Sequence, residues 1–423
     1  MRALLSLPPL LTLLLLPQPA QAQVAVADSG DTAWMMICAL LVLVAALPGL
    51  MLRHAGQVNV RNALSVMAQG WAVAAGVALA WAVAGYSLAY GPGGSWLGGG
   101  GNLLLANLGQ LREGLTVPES AFVLFQMALA MFAAGLIVGA VAERARLGWI
   151  VGFAPLWLLV VYAPVARWTW GGGWLAGLGT MDFAGALVLH VCAGVTALAL
   201  ALIAGRRGDA GAPGHAPVLG LAGGALIWVG WAGILGGWAL GATDDAASAI
   251  LNAYLAACAG ALIRALIDRL VDGRSSATGI VSGALAGLIA ISASAALVGA
   301  GGAMMIGVIA ALLCRAASAV LAGRLDDGGI FALHGVGGMV GMLALPLFTL
   351  PLMGGVGFVA GVSVPGLLLS QATGLIAVAL WAMAGSAIIA LLVSIAIPLR
   401  VAEAAETEGL DAAQHGEQGW DFR

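Results

Sequence analysis

Two histidines lie inside otherwise apolar runs, and they are the residues best equipped to do chemistry. His190 falls in Asp182-Phe-Ala-Gly-Ala-Leu-Val-Leu-His190-Val-Cys-Ala-Gly194, and His334 in Phe331-Ala-Leu-His334-Gly-Val-Gly-Gly338. A neutral imidazole donates from one nitrogen and accepts at the other, so a facing pair could share a proton and offer directional hydrogen bonds to a small polar solute. Two alternatives stand beside that reading. Each histidine could bond a helix carbonyl as packing glue, or the pair could ligate haem or a metal, although no third or fourth ligand with metal spacing accompanies them. Asp182 opens the run that carries His190, where a carboxylate either caps a helix or attracts a cation. Before it comes Arg167-Trp-Thr-Trp-Gly-Gly-Gly-Trp174, whose tryptophans read as an interfacial belt or, at Trp170, as an aromatic face for a cation.

The elements that position these residues are membrane spans. The chain of 423 residues is 62% hydrophobic and 8% charged, with a mean hydropathy of +1.04, which excludes a water-soluble domain. A bilayer crossing takes about 20 apolar residues. Eleven such runs are present, at 33–52, 62–83, 119–142, 147–166, 183–204, 217–238, 246–268, 279–297, 301–321, 330–350 and 372–397. An ionisable side chain within a span is a functional hypothesis by default. The histidine runs are the fifth and tenth, so they cross in opposite directions. That spacing predicts an all-α membrane protein of two inverted five-helix repeats plus one extra helix, with a solute site between the halves.

Glycine is abundant, at 64 residues, and lets membrane helices approach closely. A glycine cluster at Gly328, Gly329, Gly335, Gly337 and Gly338 suggests a broken helix facing a cavity. The one long connection, Gly85 to Pro118, reads as a cap over the bundle. Cys38, Cys192, Cys258 and Cys314 lie in spans without paired spacing and read as small hydrophobes. No soluble enzyme domain is present, and nothing points to a nucleic-acid partner.

Residues 1–22 have one basic residue, an apolar core and Ala20-Gln21-Ala22, the pattern of a cleavable signal peptide. A twelfth span is the alternative, opposed by Pro8, Pro9, Pro17 and Pro19. With the mature amino terminus outside a bacterial inner membrane, the loop arginines concentrate on the cytoplasmic side, and only Arg112 and Arg167 fall outside. Residues 23–399 then form the transmembrane domain and 400–423 a cytoplasmic tail.

The chain resembles the ammonium transporter (Amt) family from its first span to its tail. The matches include Pro48-Gly49, Arg61-Asn-Ala-Leu-Ser-Val-Met-Ala-Gln69, Gly135-Leu-Ile-Val-Gly-Ala-Val-Ala-Glu-Arg144, Trp170-Gly-Gly-Gly173, and Asp182-Phe-Ala-Gly185 with His190. Gly230-Trp-Ala-Gly233, Ser282-Gly-Ala-Leu-Ala-Gly287, His334-Gly-Val-Gly-Gly338 and Gly409-Leu-Asp-Ala-Ala-Gln-His-Gly-Glu417 complete the series. The resemblance implies a homotrimer with one pore per subunit, passing ammonium or ammonia through the lipid bilayer without cofactor or metal. His190 and His334 match the family's pore histidines, Trp170 its vestibule tryptophan, and Asp182 the acidic residue supporting the site. The tail match implies coupling between subunits and a PII-type signalling partner.

Departures fall at the entrance. The two phenylalanines usual at the gate are Leu129 and Ile234, so the stacked aromatic gate is missing. The small hydroxyl residue of the recruitment site is Trp238, and an acidic residue expected before the second histidine reads as Gly329. The usual Tyr-Gly-Gly after the first span reads His54-Ala55-Gly56. Leu129 and Ile234 can close a dry constriction but carry no ring quadrupole, while Trp238 either restores an aromatic face or plugs the vestibule. The expected function is ammonium transport, with a poorly conducting sensor or scaffold acting through the tail as the alternative.

Overall fold

The computed structural model describes residues 26–207, 214–321, 326 and 328–420; the expected signal peptide lies outside them. Long apolar stretches with no competing turn chemistry become helices, because within lipid a backbone must satisfy its own hydrogen bonds. Among the described residues ten helices are long and apolar enough to span a membrane: α1 (Ser29–Gln57), α2 (Val60–Tyr90), α3 (Glu119–Val141), α4 (Leu147–Gly177), α5 (Ala186–Ala204), α6 (Pro217–Trp238), α7 (Asp244–Asp272), α9 (Ala300–Leu321), α10 (Phe331–Phe348) and α11 (Val364–Ala396). The eleventh, α8 (Ala277–Ile291), has 15 residues. At 1.5 Å per residue it covers about 22 Å, less than the hydrocarbon core.

The expected 279–297 run is therefore helical only in its first part. Ser292 onward unwinds into turns, and those turns are used: the amides of Phe183 and Ala184 donate to the carbonyls of Ala293 and Ser292 at 3.0 and 2.8 Å. Two broken stretches thus satisfy each other inside the bundle, one before α5 and one after α8. Six helices, α1, α2, α4, α7, α9 and α11, run longer than their apolar runs, while α3, α5 and α10 are slightly shorter. α2 continues to Tyr90, through the first six residues of the expected connection.

The inverted repeat is visible in the packing. α1 packs on α6, and α5 on α10, so the first and last helices of each half meet their counterparts. α5 and α10 both open with a π-helical turn, Ala186–Val191 and Phe331–Gly335, and each turn contains its half's histidine. Such turns re-aim side chains and recur at functional sites.

The segment from Gly91 to Pro118 closes one end of the bundle, the cap face. Arg167, ten residues before the end of α4, fixes it by donating to the carbonyls of Gly91, Gly94 and Gly93 at 2.9, 3.0 and 3.2 Å. The tail closes the opposite end. Asp411 accepts from the amides of Leu64 and Ser65, Asn62 accepts from the amide of Leu410, and Gln414 accepts from the amide of Leu147. It thereby ties the α1–α2 turn to the start of α4.

Candidate functional site

The two histidines meet at the centre. His190 and His334 are buried, and their Nδ1 atoms lie 3.1 Å apart. One ring must donate and the other accept along this bond. The Nε2 of His190 has no hydrogen-bond partner among the described residues. A third buried histidine, His54, behaves differently: its Nε2 pairs with the Gly135 carbonyl at 3.2 Å. His54 is the packing glue that the other two are not.

What brings the pair together is a glycine in each half. A methyl at Gly194 would strike the backbone of His334 and Gly335, and a methyl at Gly338 would strike Ala186 and Val191. Each glycine lies four residues after its histidine, one turn on, where the other half's histidine turn presses in. The faint motif in the sequence thus has a steric cause.

A carboxylate anchors each histidine turn. Asp182 accepts from the amides of Gly185, Leu187 and Val188, each at 3.0 Å. Asp326 accepts from the amides of Phe331 and Ala332 at 3.2 and 2.7 Å. Asp182 and Asp326 each stand eight residues before a histidine and bind the amides five and six residues on, so the two sites are the same in opposite halves. Gly329, five positions before His334, is a left-handed residue with φ +65°, and the carboxylate that serves the second histidine turn stands three positions earlier, at Asp326. The same repeat sharpens Asp182, whose oxygens are committed to capping α5. Its carbonyl accepts from the Trp170 indole at 2.8 Å, which fixes that ring.

From the cap face toward the histidine pair, α3, α4 and α6 bring aromatic side chains together in layers. Trp170 and Trp238 come first, with ring centroids 4.1 Å apart and planes at 44°. Phe125 stands edge-on to Trp238 at 6.1 Å, allowed so near by Gly237, where a methyl would enter the phenyl ring. Deeper, Phe132 stands edge-on to both Trp231 and His190. Trp231 stacks on His190 with centroids 5.1 Å apart and planes at 12°, its indole donating to Ser292 at 3.0 Å.

Leu129 and Ile234 are fully buried. Each lies on its helix between the outer and inner aromatic contacts, Leu129 between Phe125 and Phe132, and Ile234 between Trp231 and Trp238. The aliphatic pair is thus bracketed by rings on both sides.

Phe132, Trp231 and Asp326 carry as much of this geometry as the residues singled out from sequence. The offset of eight residues between acid and histidine, repeated in both halves, is the signal that finds Asp326. Gln126, next to Phe125, is buried with neither amide atom paired among the described residues.

Known proteins agree with this architecture. The chain is 37% identical to an ammonium transporter of Bacillus subtilis over 407 residues, covering 92% of this chain and 98% of the relative. It is 35% identical to ammonium transporter Amt1 of Archaeoglobus fulgidus, over 92% and 99%. Among solved structures it superposes on Mep2 of Candida albicans with TM-score 0.83 at 32% identity, covering 94% of both chains. On a protein described as a sensor Amt protein the TM-score is 0.85 at 27% identity, over 91% and 98%. The model of the Ammonium Transporter Family matches residues 33–420, and this chain, a multi-pass membrane transporter, belongs to that family.

Proposed function

We propose that the protein moves ammonium across a bacterial inner membrane by splitting it at the cap face and passing ammonia and the proton separately. The observation that carries this is the Nδ1 to Nδ1 bond between His190 and His334, with the apolar side chains Leu129 and Ile234 fully buried nearby. A bare ammonium ion entering a dry, apolar constriction forfeits hydration worth tens of kcal/mol on Born-type estimates, whereas ammonia loses a few. The cheaper path removes the proton first.

Trp170 and Trp238 recruit the cation at their exposed faces, each face being worth about 0.5–2 kcal/mol to a cation. Asp182 acts by position: it caps α5 and holds Trp170, and so sets both the entrance and His190. Ammonia then passes the gate at Leu129 and Ile234. Along the histidine bond a proton accepted at one end releases a proton at the other, with the shared proton switching rings. The stack of Trp231 and the edge of Phe132 keep the His190 ring from turning.

The cap face is outside and the tail face cytoplasmic in this reading, with residues 1–22 removed as a signal peptide. The arginine distribution supports that orientation. Assembly as a homotrimer and docking of a PII-type protein on the tail, residues 400–423, complete the proposal. The curated relatives above are named as transporters, which favours transport over a sensor that does not conduct.

The test is current from purified protein in liposomes under an ammonium gradient. The wild type produces a transient current, and the variant with His190→Ala and His334→Ala loses it. Current unchanged in that variant overturns the relay.

A further inference from the structure

A cavity of about 350 Å³ lies below the histidine pair toward the tail face, and among its described walls the charged side chains, Arg53 and Arg207, are both basic. Arg53, His54, Arg207, Thr278, Ser282 and Gly328 are among its walls. Three arginines are buried among the described residues. Arg144 donates to the Ala140 carbonyl, and Arg167 to three carbonyls of the cap. Arg53, 9% exposed, makes no hydrogen bond or ion pair with any described residue. A guanidinium cannot shed its proton in a protein, so the charge persists. A cation at membrane depth ordinarily pairs with an anion or with carbonyls.

Two described carboxylates nearby, Glu143 and Asp326, are already engaged. Glu143 forms an ion pair with Arg207 and accepts from the Asn59 amide and the Asn62 side chain at 2.6 and 2.9 Å. Asp326 accepts from the two amides that open α10. Two helices begin at the cavity, α6 through Pro217 and Gly220 and α8 through Thr278 and Ser282. Their amino-terminal ends add positive potential. A Cβ at Gly224 would lie against Val281 and 4.0 Å from the Arg53 Nη1, which sets the guanidinium at the seam of α6 and α8. The Ser282 hydroxyl, the exposed Thr278 hydroxyl, which shares a 3.0 Å hydrogen bond with Ser276, a fixed cation and two helix ends converge on one space.

We propose that this cavity is a binding site for one small inorganic anion of the chloride class, held by the Arg53 guanidinium and the hydroxyls of Thr278 and Ser282. A bound anion cancels the charge below His334, and so sits where it tunes the proton path proposed above. The binding claim stands without that path.

Full-length protein purified in detergent tests it by thermal unfolding, with sodium chloride exchanged for sodium gluconate at fixed ionic strength. Ligand that binds only the folded state raises Tm in a saturable way. The wild type should gain a few °C; Arg53→Met should erase the gain, and Arg53→Lys should keep part of it. Thr278→Val should raise the half-saturating chloride concentration several-fold. Bromide-soaked crystals of the wild type give a second readout that needs no variant, an anomalous peak beside the Arg53 guanidinium. An unsaturable chloride response, an equal response in Arg53→Met, or a cavity without bromide each overturns the proposal. Ammonium currents measured on the same preparations keep the two readings separate: chloride binding without current removes the transport reading alone.

Discussion

At the scale of single residues, three buried histidines in one bundle divide by partner. His54 is spent on a backbone carbonyl, whereas His190 and His334 are spent on each other. The same division applies to the acids. Asp182 and Asp326 each hold two or three amides of a histidine turn, and charge-assisted bonds of this kind are roughly twice as strong as neutral ones. Replacing either by alanine leaves buried amides unmet, at about 1–3 kcal/mol. Because the geometry repeats, Asp182→Ala and Asp326→Ala should lower thermal stability by similar amounts, read by unfolding of the purified protein. Asp182→Ala should also weaken ammonium recruitment by loosening Trp170. At the entrance, Trp238→Ser removes one of two rings that stand 4.1 Å apart. The expected result is a rise of about 3- to 10-fold in half-saturating ammonium, the equivalent of a cation–π contact of about 0.6–1.4 kcal/mol, without loss of maximal flux. Lower half-saturation in Trp238→Ser would show that the ring obstructs rather than recruits.

At the scale of elements, the site depends on α5 and α10 touching backbone to backbone. Gly194 and Gly338 permit that contact, each against the other half's histidine turn. Gly194→Ala or Gly338→Ala must push the helices apart, and overpacking of this kind costs about 1–3 kcal/mol. Each substitution should cut flux at least 10-fold while the protein still inserts and purifies, since a shift of a few tenths of an ångström stretches the histidine bond beyond useful length. Flux at wild-type level in both variants would mean that the pair need not be in contact. The broken ends before α5 and after α8 make the same point from the other side. Their backbone groups pair with one another at membrane depth, and irregular backbone survives there only where protein encloses it.

For the whole molecule, the tail is the element that joins distant parts of the chain. Asp411 holds the amides of Leu64 and Ser65, and Gln414 that of Leu147. Asp411→Ala should speed hydrogen exchange at Leu64 and Ser65 at least 10-fold, with the amides that open α5 unchanged. Exchange that spreads to α5 would instead show the tail coupled to the pore.

Much of this protein was legible from composition and spacing. Hydropathy alone determined a membrane bundle, since lipid leaves the backbone almost no choice but the helix. The five-span offset between His190 and His334 determined the inversion, and the arginines suggested which way it points. Tertiary structure decided what depends on distance across the bundle. It separated His54 from the pair, brought Asp326 to the second histidine turn, and placed Phe132 and Trp231 against His190. It also left Arg53 facing a cavity. Sequence spacing fixes which face of a helix a residue occupies, but partners more than a hundred residues apart are chosen only when the two halves close on one another.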